Sequence, residues 1–113
     1  MIKALVAGEP VRGDINIKQK PYEMRKQAHL YYSGKVQGVG FRFTAREIAD
    51  SLNISGWVRN SPDGRVEILA EGKKEDLENF LAQIQQRLQR YISTFDIQWQ
   101  EASGTFKDFQ VLL

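Results

Sequence analysis

The sequence predicts an α+β fold, a ferredoxin-like (split β-α-β) sandwich in which an antiparallel sheet carries two helices on one face. Three observations predict it. Segments of strand and helix periodicity follow one another in the order β-α-β-β-α-β, with one more short strand at the C-terminus. Each helical segment has a single apolar stripe, enough to cover one side of a sheet. The two middle strands are joined by Ser61-Pro62-Asp63-Gly64, in which proline presets one backbone angle and glycine accepts a positive one, so they form a hairpin.

Taken in order, Leu30, Tyr31 and Tyr32 suit a first strand, with one tyrosine facing the core and the other the surface. A glycine-rich loop follows. The first helix is expected from about Arg42 to Leu52, because Phe41, Ala45, Ile48, Ala49 and Leu52 recur at helical spacing. Asn53 is a candidate left-handed stop. Ile54 to Asn60 reads as the second strand. Val66, Ile68 and Ala70 alternate with Arg65, Glu67 and Leu69 in the third. The second helix is expected from about Lys74 to Arg90, its buried stripe formed by Leu77, Phe80, Leu81, Ile84 and Leu88. Glu75, Asp76 and Glu78 favour its positive end, and with Glu71 they read as a solvated helix start rather than a metal site. Phe95, Ile97 and Trp99 alternate as a fourth strand, and Phe109, Val111 and Leu113 as a short last one.

Residues 1–26 precede these signals. Gly8, Pro10, Gly13 and Pro21 punctuate them, and they read as an N-terminal extension or linker, expected to be mobile, with a short strand conceivable over Ile2 to Val6. The domain proper is then residues 27–113. The hydrophobic content of the whole chain, 42% of 113 residues, suits one modest core. The net charge of +2 is uneven: Met1 to Gln27 carries six basic and three acidic residues, a net of +3, which leaves −1 for the rest. The basicity therefore belongs to the extension, and the domain carries no electrostatic footprint for nucleic acid.

The absence of cysteine excludes disulfides, thiolate nucleophiles and cysteine–zinc sites, and the single histidine, His29, excludes a His-rich metal site. No apolar run reaches the length of a signal h-region or a membrane span, so the expected location is cytoplasmic.

The stretch Gly34-Lys-Val-Gln-Gly-Val-Gly-Phe-Arg42 raises the functional question. It leads into a helix N-terminus, where unpaired N–H groups and the helix dipole favour an anion. Gly38 and Gly40 keep Cβ atoms away from an approaching anion. Arg42 adds a planar fork of donors suited to phosphate. No carboxylate interrupts the segment. Its glycine spacing matches neither the dinucleotide-binding nor the P-loop fingerprint, so a nucleotide is not indicated. On composition alone it could equally be a tight β–α turn with Arg42 solvated. Lys35 either adds positive potential or is simply solvated.

In the second stretch, Gly56 to Gly64, Trp57 and Arg59 share one strand face while Gly56, Val58 and Asn60 share the other. Asn60 stands where the strand breaks into the turn. Its amide can both donate to and accept from a water, although asparagine at such a place commonly just caps the turn.

Together the two stretches resemble the acylphosphatase family. GKVQGVGFR matches the phosphate loop with its arginine, and AREIADSLNISGWVRNSPDGRVEILAEG continues through the helix, the asparagine strand and the hairpin. The resemblance is specific from about His29 to Gly72 and looser to Leu113. It implies an acylphosphatase-like domain over 27–113 that hydrolyses the carboxyl–phosphate bond of small acyl phosphates by direct attack of water, with no metal and no cofactor. By the same resemblance, Arg42 is the catalytic arginine that binds the phosphoryl group, and Asn60 positions the attacking water. The backbone amides of Gln37, Gly38, Val39, Gly40 and Phe41 complete the phosphate cradle beside Arg42. The implied partner is a small-molecule acyl phosphate, with neither a specific nucleic acid nor a membrane; oligomeric state is left open.

Three departures stand out. The family often shows Gly-Pro after its second helix, where this chain has Leu88-Gln-Arg-Tyr-Ile-Ser-Thr94. Position 53, often glycine, is Asn. Residues 1–26 have no counterpart in the minimal family domain.

An RNA-recognition motif shares the element order but places base-stacking aromatics on its third strand, which here reads RVEILAE and has none. A non-catalytic anion-binding module would keep the cradle without turnover. His29 reads as an ordinary strand residue and Trp57 as a packing residue.

Overall fold

The computed structural model describes residues 25–113. The strand considered over Ile2 to Val6, and most of the expected extension, lie outside the described residues. The elements are β1 (Arg25–Gly34), α1 (Phe41–Ser51), β2 (Ser55–Asn60), β3 (Val66–Lys73), α2 (Lys74–Leu88), a 3₁₀ turn (Gln89–Tyr91), β4 (Ile92–Glu101) and β5 (Phe109–Val111). β1 thus takes in Arg25 and Lys26, which the sequence reading gave to the extension.

The sheet order is β4-β1-β3-β2-β5. The first four strands pair antiparallel, as the split β-α-β order requires. β5 corrects the expectation of a wholly antiparallel sheet: it runs parallel to β2, with Gly56, Trp57 and Val58 opposite Phe109, Gln110 and Val111. The chain from β4 crosses the sheet before it reaches β2, so it arrives travelling in the direction of β2.

The core lies between the sheet and the two helices. Ala28, Leu30 and Tyr32 of β1, Val58 of β2, and Val66, Ile68 and Ala70 of β3 meet Ala45, Ile48 and Ala49 of α1 and Leu77, Phe80 and Ile84 of α2, all buried. A fully buried residue of the larger apolar types contributes roughly 1.5–3 kcal/mol. Tyr32 is the core tyrosine and Tyr31 the surface one. Burial pushes the Tyr32 hydroxyl far above its ordinary pKa, so it stays neutral. Asn53 has φ of 58°, the left-handed stop expected of it.

Glu71 departs from its reading as part of a solvated helix start. It is the last acidic residue of β3 and is fully buried. Its carboxylate accepts from the Gln27 side-chain amide at 2.6 Å and from the backbone N–H groups of Ser103 and Gly104 at 2.7 and 3.0 Å. Burial pushes this carboxyl up, but the donors from Ser103, Gln27 and Gly104 override it and hold the group below the usual carboxylate range. The buried charge thereby fastens the β4–β5 crossing onto the sheet.

On the open face of the sheet Glu67 does similar work within β3. It accepts from His29 Nε2 at 2.7 Å, the Tyr31 hydroxyl at 2.9 Å and Arg59 Nε at 2.7 Å. Trp57 lies half-buried on this face, with the Arg59 guanidinium 5.3 Å from its ring, so it packs outside the core.

Candidate active site

The glycine loop joins β1 to α1 and is anchored at two points. Val36 and Phe41 are buried, and Phe41 packs 5.1 Å from Tyr32, centroid to centroid. Between these anchors Gln37, Gly38 and Gly40 are exposed and Val39 is half-buried. At the loop's root the Lys35 N–H donates to the Tyr91 carbonyl at 2.9 Å. The connection from Leu88 to Thr94 therefore braces the loop from behind.

Gly38 and Gly40 have φ of 80° and 79°, and a Cβ at either would meet nothing within 4 Å. The left-handed backbone, not crowding, calls for glycine here. The space in front of the loop backbone is open. Gly40 is the N-cap of α1, so no side chain caps this helix, and its first turn contains no acidic residue. The helix α2 differs, with Glu75 and Asp76 in its first turn. An N-cap side chain contributes about 1 kcal/mol and a first-turn carboxylate about 0.3–1 kcal/mol. α1 forgoes both, and its leading N–H groups remain as donors for an anion.

Arg42 sits in that first turn, half-buried, and its Nη1 donates to the Leu112 carbonyl at 3.1 Å. Leu112 in turn donates its N–H to the Val58 carbonyl at 2.8 Å. A guanidinium has five N–H donors, so this contact leaves most of the fork for a ligand.

Asn60 ends β2, opposite Val66 and half-buried. It is two residues beyond Val58 on the same strand face. The turn after it is closed by Ser61 N–H to the Arg65 carbonyl at 2.7 Å and Gly64 N–H to the Ser61 carbonyl at 3.1 Å. Gln37 reaches over from the loop, and its Nε2 donates to the Ser61 and Arg65 carbonyls at 2.9 and 3.0 Å. The two sequence stretches that stand far apart in the chain are thus bonded to each other.

The family model for acylphosphatase matches residues 28–111 of this chain. The chain belongs to the acylphosphatase family. An acylphosphatase of Thermus thermophilus is 49% identical over 80 residues, which are 69% of this chain and 89% of that protein. One from Methanospirillum hungatei is 47% identical over 76 residues, 67% of this chain and 84% of the relative. The crystal structure of an acylphosphatase from Bacillus subtilis superposes with a TM-score of 0.73 at 31% identity, covering 78% of this chain and 99% of that one. Membership in a family of hydrolases makes this chain an enzyme, an acylphosphatase whose fold is the ferredoxin-like one derived above.

Within the acylphosphatase domain the structure places Gln37 to Arg42 in one loop and helix start, and Asn60 on the strand end bonded to that loop. Two contributors escaped the sequence reading. The sequence points only to the backbone amide of Gln37, whereas its side chain spans to the next hairpin. Leu112 carried no polar side chain to attract notice, since it acts through its carbonyl. A surface concavity of about 370 Å³, lined by Arg25, Asp50, Asn53 and Ser55 among others, lies at the far, C-terminal end of α1. Its mixed charges contrast with the donor-only character of the loop, and a small oxyanion gripped by amides needs no deep cavity.

Proposed function

We propose that this acylphosphatase hydrolyses small acyl phosphates without a metal, by direct attack of water, with Arg42 and the loop amides holding the phosphoryl group and Asn60 holding the water. The observation that carries the reading is the uncapped, acid-free start of α1, with Arg42 in its first turn and Gln37 bonded to the turn behind Asn60.

The amides of Gln37 to Phe41 and the free donors of Arg42 bind the phosphoryl oxygens. Water held by the Asn60 carboxamide attacks phosphorus opposite the leaving group. The new P–O bond forms to water as the P–O bond to the acyl oxygen breaks, and the carboxylate leaves with its electron pair. A carboxylate is a good leaving group and the transition state is loose, so positioning and electrostatic stabilisation matter more than a strong base. A phosphoryl oxygen takes the water's proton, since neither stretch contains a histidine or cysteine to receive it.

The test is phosphate release from a synthetic acyl phosphate in EDTA by wild type, Arg42→Ala and Asn60→Ala. Turnover that survives EDTA and falls by about 10²-fold or more in each folded variant is the expected result. Phosphate binding without turnover in folded wild type would instead identify an anion-binding module, and a phosphorylated side chain trapped during turnover would overturn direct attack by water.

A further inference from the structure

The Gln37 side chain has a task that its exposed position does not suggest. Its two amide hydrogens meet two carbonyls, those of Ser61 and Arg65, at 2.9 and 3.0 Å. Those carbonyls bracket the hairpin turn that follows Asn60. Each also takes part in the turn's own closure, Ser61 O from Gly64 N–H and Arg65 O from Ser61 N–H. The orientation of the carboxamide follows from this. Flipped, it would set its oxygen against two carbonyl oxygens; as placed, its nitrogen faces both. One side chain thus fixes the separation between the loop that holds phosphate and the strand end that bears Asn60.

Nothing else described in the structure joins these two parts so directly. Arg42 reaches β2 only by way of Leu112 and Val58. The loop itself contains two glycines at positive φ, and between Val36 and Phe41 only Val39 packs against the core, and then half-buried. A backbone of that kind holds its shape but not its distance to a neighbouring turn.

We propose that Gln37 is a positioning residue that sets the Asn60-bound water in register with the phosphoryl group, an inference that rests on the function proposed above. Its side chain touches neither substrate nor water in this role; it acts through the Ser61 end of the hairpin. Loss of the clamp leaves the cradle amides and Arg42 in place. Phosphate binding is then retained while attack is slowed, because a misplacement of about 1 Å can cost about 10²-fold in rate.

The experiment is a cycle of Gln37→Met and Asn60→Ala, singly and together, following kcat, KM and competitive inhibition by inorganic phosphate. Methionine keeps the length of the side chain and removes both donors. Gln37→Met is expected to lower kcat by about tenfold or more and to change phosphate inhibition by less than about twofold. In the Asn60→Ala background the same change is expected to lower kcat by less than about twofold, because the group it positions is already gone. Phosphate inhibition also reports that each variant retains a folded cradle, and Gln37→Ala serves as a second donor-free variant. Equal fold-losses in both backgrounds, weakened phosphate inhibition, or an unchanged kcat would each overturn the role of Gln37. These failures are distinct from failure of the underlying reading, which is an inactive wild type or an Asn60→Ala variant with full activity.

Discussion

The guanidinium of Arg42 donates to the carbonyl of Leu112 at 3.1 Å, across seventy positions of sequence. The Leu112 N–H is bonded to Val58 at 2.8 Å, so the last residues of the chain form a bridge from the start of α1 to the strand that carries Asn60. Arginine is a long side chain with much rotamer freedom, and a fixed acceptor reduces what it loses on gripping a ligand.

Removal of Leu112 and Leu113 is expected to release Arg42 while leaving the Phe109–Val111 pairing intact. A hydrogen bond from a charged donor in this setting contributes about 1–2 kcal/mol, which corresponds to roughly 5- to 30-fold in kcat/KM. Arg42→Lys keeps the charge but loses the fork, and about a 10²-fold loss is expected. Steady-state kinetics on both variants check this. An unchanged kcat/KM in the truncated chain would show that Leu112 does not hold the arginine in solution.

Two glycines, both at positive φ, differ in the space around them. Gly40→Ala puts a Cβ at φ of 79° with nothing within 4 Å of it, so only the left-handed strain is incurred, about 1–2 kcal/mol. Gly56→Ala would set its Cβ 1.8 Å from the Leu69 carbonyl oxygen on the neighbouring strand. That clash is with backbone, and the β2–β3 pairing must give way. Urea unfolding is expected to rank Gly56→Ala as much the more damaging. Similar midpoints for the two variants would overturn the assignment of a close approach at Gly56.

Glu67 and Glu71 make stability depend on acid. Burial pushes the Glu67 carboxyl up, yet donors from His29, Arg59 and Tyr31 override it, and it ends below the usual range, as Glu71 does. A carboxyl lowered in the folded state contributes stability that is fully present above the unfolded value and is lost as pH falls through the folded one. Thermal midpoints should therefore hold above about pH 5 and fall below the ordinary carboxylate value of 4.5. Glu71→Gln is expected to cost about 2 kcal/mol at neutral pH, since its amide turns a donor toward buried N–H groups, and to flatten the acid limb. An acid limb unchanged in Glu71→Gln and Glu67→Gln would show that other groups govern it.

What the sequence by itself determined was local or periodic. The helical stripes, the alternation of β3 and the Pro-Asp-Gly turn sufficed for the order of elements, because each signal is confined to a few residues. The glycine loop ahead of Arg42 and the Asn60 turn were legible for the same reason, and the resemblance they carried joined them to a family. Tertiary structure alone decided the contacts between distant segments. Glu71 looks like a member of an acidic helix start, and only the folded contacts, Gln27 on the neighbouring strand and the crossing that brings Ser103 and Gly104 over it, make burial of its charge tolerable. β5 pairs parallel because of where the chain comes from, which a three-residue strand cannot record. Gln37 and Leu112 act on partners far along the chain, one through a carboxamide that any exposed glutamine possesses and the other through a carbonyl that every residue possesses. Neither group has a pattern of its own in sequence, and only the folded distances give them a role.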